Sequence, residues 1–214
     1  MVARSAAAPT HKVLIAGVPV LATVTARPAI ARRWVCSTLW RCRRLLLSGS
    51  GRLTVGLRVQ WTPTFRALPG GAEPRPGTLQ LCAGQRCLVF QVARAGHVPA
   101  ALRRLLADTR ATFAGYNVGS DCRKLLAHHG LRAASTLELR GAGNAPLERM
   151  ETRLLGIRGG GMKKSSKVST STWDGVTLSK KQVRYACVDA YLSCRLGVHL
   201  GAAMASQPSD SDSD

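Results

Sequence analysis

Gly56-Leu57-Arg58-Val59-Gln60-Trp61 is the stretch on which the reading of this chain turns. Leu53, Val55, Leu57 and Val59 alternate with other residues, and Trp61 closes the run. That period of two predicts a central β-strand. It puts Leu57 and Val59 on one face and Arg58 and Gln60 on the other. Burying two polar side chains without partners costs about 1–3 kcal/mol each. The pair therefore predicts either a solvated surface strand or a polar site whose partners come from elsewhere in the chain.

Composition sets the limits. The chain has 214 residues, 45% of them hydrophobic and 20% charged, which suits one globular domain with a real core and excludes wholesale disorder. Net charge is +20, and arginine supplies most of the 31 basic residues. The first carboxylate is Glu73. Such a field draws in polyanions, and the planar guanidinium fork suits phosphate, so nucleic acid (DNA or RNA) is the expected partner. The alternative is solvated charge, because the arginines are scattered along the chain. The seven cysteines, Cys36, Cys42, Cys82, Cys87, Cys122, Cys187 and Cys194, show no zinc spacing and read as reduced thiols. Cys82 and Cys87 face each other across an expected hairpin. No apolar run reaches the length of about 18 residues that a membrane helix needs, so no membrane partner is expected.

The chain divides into a flexible leader (1–10), a single domain (11–203) and an acidic, disordered tail (204–214) with Asp210, Asp212 and Asp214. Two short strands, Lys12–Ala16 and Val20–Thr25, precede a helix from Pro28 to Leu46 with Thr25 as its cap and Trp34 in the core. After Trp61 a Pro/Gly-rich loop leads to a hairpin, Thr78–Cys82 and Arg86–Val92. Helices are expected at Ala100–Ala107, Asp121–His129, Pro146–Leu155 and Lys180–Leu200, the last capped by Ser179. Short strands are expected at Thr112–Gly115 and Thr136–Leu139. A glycine-rich basic segment with Lys163, Lys164 and Lys167 is a candidate phosphate-contacting loop, or a solvated linker. Strands followed by alternating strands and helices predict an α/β or α+β domain.

Polar residues recur at three places. Arg58 and Gln60 are the first. Gly115-Tyr116-Asn117-Val118-Gly119-Ser120-Asp121 is the second, where a strand turns into a helix and Asp121 could serve only as its N-cap. Tyr185 and Asp189 are the third, one turn apart on the last helix.

Together with Thr78–Cys82, Cys87–Gln91, Trp173-Asp174 and Gln182–Tyr191, these places make residues 53–200 resemble a known family. It is the 3′-5′ exonuclease domain of the Werner-syndrome exonuclease and RNase D type, the DEDD branch with a catalytic tyrosine. The likeness is closest to small plant proteins of that family. It implies a ribonuclease H-like fold with a five-stranded mixed sheet flanked by helices. It also implies a hydrolase in which four carboxylates hold two Mg²⁺ or Mn²⁺ ions, one activating water and one stabilising the leaving oxygen. By motif match Asp121, Tyr185 and Asp189 take catalytic positions, with Asp121 and Asp189 as metal ligands.

The family's first strand carries Asp-x-Glu, and this chain departs from it with Arg58 and Gln60. Arg has no acceptor atom and stays cationic, and Gln brings no charge. At about 4 Å and an effective dielectric of about 20, each unit-charge interaction is worth about 4 kcal/mol. The expected function is therefore a catalytically impaired, exonuclease-like nucleic-acid-binding protein. An active metal-dependent 3′-5′ exonuclease is the alternative. A protein-interaction scaffold, with the tail recruiting a partner, is a second alternative. The Arg58 guanidinium is expected to replace part of the metal charge by pairing with Asp121 or Asp189. The family and the free thiols imply nucleus or cytoplasm. The acid-free N-terminus also resembles an organelle transit peptide.

Overall fold

The computed structural model describes residues 10–48, 51–64, 69–140 and 166–205. One mixed sheet of seven strands organises them. The strands are β1 (Thr10–Ile15), β2 (Val18–Thr25), β3 (Leu53–Gln60), β4 (Thr78–Ala83), β5 (Arg86–Phe90), β6 (Ala111–Gly115) and β7 (Thr136–Glu138). Their order across the sheet is β1-β2-β5-β4-β3-β6-β7. The strand count corrects the expected five. β5-β4-β3-β6-β7 form the expected five-stranded unit, and the N-terminal hairpin adds two more strands because β2 pairs parallel with β5. Pairing of this range is long-distance, so no local pattern announces it.

The helices are α1 (Pro28–Arg41), α2 (Arg43–Leu47), α3 (Ala100–Ala107), α4 (Val118–His129), α5 (Ser166–Ser169) and α6 (Lys180–Ala205). The single helix expected over Pro28–Leu46 is two, parted at Cys42, whose ψ is 6°. Thr25 is not its cap. Arg27 holds that position, and the Thr25 hydroxyl accepts the Arg27 N–H at 2.9 Å. Trp34 is buried as expected, but Trp40 is 64% exposed, with the Arg43 guanidinium stacked 4.1 Å from its ring centre. The helix expected over Pro146–Leu155 lies outside the described residues. No helix among the described residues is long and apolar enough to cross a membrane.

The alternation read in β3 divides the protein into two cores. Leu53, Val55, Leu57 and Val59 face the side covered by α1, α3 and α4, where Leu102, Leu105, Leu106 and Leu125 are buried. The other face is covered by α6, which buries Val183, Cys187, Tyr191 and Cys194. Cys82 and Cys87 are cross-strand neighbours and, like all seven cysteines, free thiols. Hydrogen bonding to Cys87 and then burial push the Cys187 thiol well above its ordinary range.

α6 approaches β3 more closely than side chains allow. A Cβ at Gly56 would stand 1.9 Å from the Ala190 carbonyl oxygen and 2.6 Å from the Cys194 nitrogen. A Cβ at Gly197 would fall 2.4 Å from the Ala114 Cβ. The bare backbone at these crossings lets α6 lie against the strand and sets the depth at which its polar residues meet β3. Ser179 begins α6 with a capping box: its Oγ accepts the Gln182 N–H at 3.2 Å, and the Gln182 Oε1 accepts the Ser179 N–H at 2.9 Å.

Gly56→Ala forces backbone against backbone, so it should destabilise by about 3 kcal/mol, the upper end of overpacking costs. Gly119→Ala, on α4 with nothing within 4 Å, should be neutral or stabilising by up to about 1 kcal/mol. Chemical denaturation midpoints of the two variants check this; equal midpoints would contradict the close crossing.

Candidate functional site

Arg58 leaves β3 on the α6 face, near the end of the strand. β6 pairs with β3 only as far as Gly56, so beyond that point the N–H of Val59 is left for another acceptor. Asp121 takes it: its Oδ2 accepts the Val59 N–H at 3.1 Å. The same oxygen lies 3.4 Å from Arg58 Nη1. On the other side, Asp189 Oδ2 of α6 lies 3.9 Å from Arg58 Nε. Arg58 Nη1 also donates to the Tyr116 carbonyl in the β6–α4 turn. The guanidinium thus sits among three elements, with both aspartates about 95% or more shielded and its own side chain 15% exposed. The expected pairing is present, and with both aspartates rather than one.

Charge explains the arrangement. Burial pushes Asp121 up to about 6, although Arg58, the Val59 N–H and Lys124 all pull it down. Burial alone would lower Arg58, but Asp121 first, then Asp189, Tyr185 and Glu138, hold it above its ordinary value. The cation is what allows two carboxylates to stay close together in a low-dielectric setting.

Asp121 is not an N-cap. α4 begins at Val118, with Asn117 ahead of it in the left-handed region at φ 60°. Glu138 of β7 performs the capping: its carboxylate accepts the N–H of Asn117 at 2.7 Å and of Val118 at 3.0 Å. A cap supplied by a neighbouring strand leaves no signature at the helix start, which is why the sequence places that start three residues late. It also carries Asp121 inward, onto β3, rather than to the helix tip.

Tyr185 is half-buried near the start of α6, its ring 5.9 Å from that of the buried Trp173. Trp173 is tied to the end of β3, since its N–H donates to the Thr62 hydroxyl at 2.8 Å and that hydroxyl donates to Asp174 at 2.6 Å. Gln182 Nε2 holds the same segment through Ser171 Oγ and the Thr172 carbonyl. Gln60 is 7% exposed and stands opposite Thr78, two register positions from Arg58 opposite Gln80. These four residues continue the polar strip of the α6 face across two strands. Lys167 is exposed on α5; Lys163 and Lys164 lie outside the described residues.

Lys124 was not legible as a site residue. It is 4% exposed, with its Nζ 2.5 Å from Ser120 Oγ, 3.3 Å from Glu73 Oε2 and 4.5 Å from the centre of the Trp61 ring. Glu73 also binds Arg123 at 3.0 Å, so it fastens the Pro/Gly-rich loop onto α4 beside Asp121. The only sequence signal is the i, i+3 spacing of Asp121 and Lys124.

The residues present do not fit a pair of divalent cations. Two carboxylates converge, and a guanidinium already faces both. Among the described residues no three His, Cys, Asp or Glu side chains gather where they could hold a metal ion. Mg²⁺ draws on carboxylate oxygens, which this cluster spends on Arg58.

Arg58→Met leaves the aspartates without their cation. Asp121 already binds its proton more tightly than an unfolded carboxylate does, so its contribution favours folding in acid and is lost as pH rises through about 6. Without Arg58 that loss deepens and moves to higher pH. The variant should be destabilised by about 3–5 kcal/mol at pH 8 and by distinctly less at pH 5. Melting temperatures of both proteins across that range check it; parallel pH curves would contradict it.

No protein-family model matches the chain. It is similar to the bifunctional 3′-5′ exonuclease/ATP-dependent helicase WRN of Mus musculus, 28% identical over 153 residues, covering 69% of this chain and 11% of that protein. It is also similar to a 3′-5′ exonuclease of Arabidopsis thaliana, 28% identical over 157 residues, covering 69% of this chain and 52% of the relative. The chain therefore spans about half or less of the length of the curated relatives it matches. Among solved structures, Escherichia coli RNase D, described as an exoribonuclease involved in structured RNA processing, shares the fold. Its TM-score is 0.64 at 14% identity, over 85% of this chain and 46% of that one. Taken with the strand order and the motif order along the chain, these likenesses show a domain similar to the 3′-5′ exonucleases of the Werner and RNase D type, ribonuclease H-like in fold.

Proposed function

We propose that the protein binds nucleic acid through its exonuclease-type domain and hydrolyses it weakly or not at all. The observation that carries this reading is the Arg58 guanidinium, 3.4 Å from Asp121 and 3.9 Å from Asp189. A cation fixed between those carboxylates competes directly with any metal that would use them. Displacing it would strip a buried charge of its partners, which costs several kcal/mol. Gln60 adds no charge to recover the loss.

Binding rests on other features. The net charge of +20 attracts phosphate chains over long range. The relatives are named as exonucleases and the RNase D neighbour as an exoribonuclease, so a DNA or RNA strand is the ligand their chemistry suggests. Tyr185, aligned by Trp173, borders the same end of β3 and α6 and would flank that strand.

The test uses purified protein with DNA and RNA carrying accessible 3′ ends, in Mg²⁺ or Mn²⁺. Wild type should bind, with affinity falling steeply as salt rises, at a log–log slope of about −0.7 per single-strand phosphate neutralised. It should release no nucleotide above background. Arg58→Asp/Gln60→Glu, which restores two carboxylates, should recover cleavage. Wild-type cleavage that vanishes in Asp189→Ala would overturn the impaired reading in favour of a reduced metal centre.

A further inference from the structure

A second cationic site lies on the face of the sheet opposite Arg58. Arg86 opens β5 and shares a face with Leu88 and Phe90, which belong to the core under α1 and α3. Arg58 stands near the end of β3, and β3 and β5 both run antiparallel to β4. The two arginines therefore occupy opposite faces of the sheet, two strands apart, with Arg86 three residues nearer the start of β3.

Around Arg86 the N-terminal hairpin and α1 leave a groove. Two adjoining cavities of about 670 and 340 Å³ share Thr10, Thr23 and Arg86 in their walls. The larger adds Arg41 and Gln85; the smaller adds Arg33 and Ser37. Three arginines thus line the two cavities, Arg86 in both, with hydroxyl and amide side chains between them. None of the lining residues is acidic. None of the three arginines belongs to an ion pair among the described residues. The Nη1 of Arg86 is shielded from solvent and meets no hydrogen-bond acceptor among them. Burial, followed by repulsion from Arg41, holds the Arg86 guanidinium below its ordinary value.

Three other arginines of the described structure have carboxylate partners. Arg110 has Asp108, Arg123 has Glu73, and Arg58 has two aspartates. The groove gathers donors and supplies no carboxylate. An incoming oxyanion would complete it, and the planar fork of arginine matches phosphate with two parallel bonds. The larger cavity lies within the size range of pockets that hold ligands of nucleotide size.

We propose that this groove, centred on Arg86, Arg41 and Arg33, is a phosphate-binding site separate from the Arg58 cluster. The phosphate belongs either to a free diphosphate-type compound or to a nucleic-acid strand passing over the α1 face. In both cases guanidinium forks hold the oxyanion, and Thr23 contributes a hydroxyl donor.

The test titrates the full chain with pyrophosphate at low salt by calorimetry and thermal shift, and repeats it on Arg86→Met and Arg41→Gln. Arg41 is exposed, so its variant keeps the test sound if Arg86→Met fails to fold. Pyrophosphate should raise the melting temperature of wild type, by the ordinary linkage of binding to folding. Each variant should weaken binding by about tenfold or more, the effect of losing one charge-assisted contact. A single-stranded oligonucleotide that pyrophosphate displaces, and that binds Arg86→Met more weakly, assigns the groove to nucleic acid. A strand indifferent to both assigns it to a free phosphate compound. No pyrophosphate binding up to about 1 mM, or binding unchanged in every variant that folds, overturns the proposal. Neither outcome touches the nuclease assays at Arg58, so the two readings fail separately.

Discussion

A single guanidinium, buried between two aspartates, is the constraint on which the functional end of this protein depends. Asp121 comes from α4, Asp189 from α6 and Arg58 from β3, so the cluster joins both layers of helices to the sheet. Each partner is costly to bury alone and tolerable only with the others. The backbone serves the same end. β6 stops pairing with β3 at Gly56 and leaves the Val59 N–H for Asp121, and Gly56 itself admits α6 close enough to bring Asp189 within reach.

The surrounding structure holds this cluster in place without touching it. Glu138 caps α4 from a neighbouring strand, which turns Asp121 inward. Glu73 draws the loop after β3 onto α4 through Arg123 and Lys124. Thr62 and Gln182 fasten Trp173, and Trp173 orients Tyr185. In a chain with 11 acidic residues against 31 basic ones, carboxylates are scarce, and five of them, Glu73, Asp121, Glu138, Asp174 and Asp189, are committed to this end of the molecule. The α1 face has none among its groove residues, so the same imbalance leaves Arg33, Arg41 and Arg86 open to an external anion.

Much of this was legible in the sequence where the signal is periodic or local. The two-residue alternation of β3 sorts Leu57 and Val59 from Arg58 and Gln60 correctly, because pleated strands leave no other arrangement. The Thr78–Cys82/Arg86–Val92 hairpin, whose second strand in fact ends at Phe90, the Ala100–Ala107 helix and the Ser179 cap follow from turn chemistry and helical spacing. Motif order singled out Asp121, Tyr185 and Asp189, and the structure brings Asp121 and Asp189 together around Arg58. What was missed depends on distant partners: the parallel β2–β5 pairing that enlarges the sheet, the break at Cys42, the early start of α4 and the buried Lys124.

By itself, then, the sequence determined the secondary-structure types, the faces of β3, the excess of positive charge and the replacement of two carboxylates by Arg58 and Gln60. Only the tertiary structure decided what that replacement does. A lone arginine on a strand can face water or a partner with equal local propensity. The choice is made by two aspartates 63 and 131 residues further along the chain, which approach because helix packing and strand ends place them there. Electrostatic energy depends on distance in space, and sequence separation does not carry that distance.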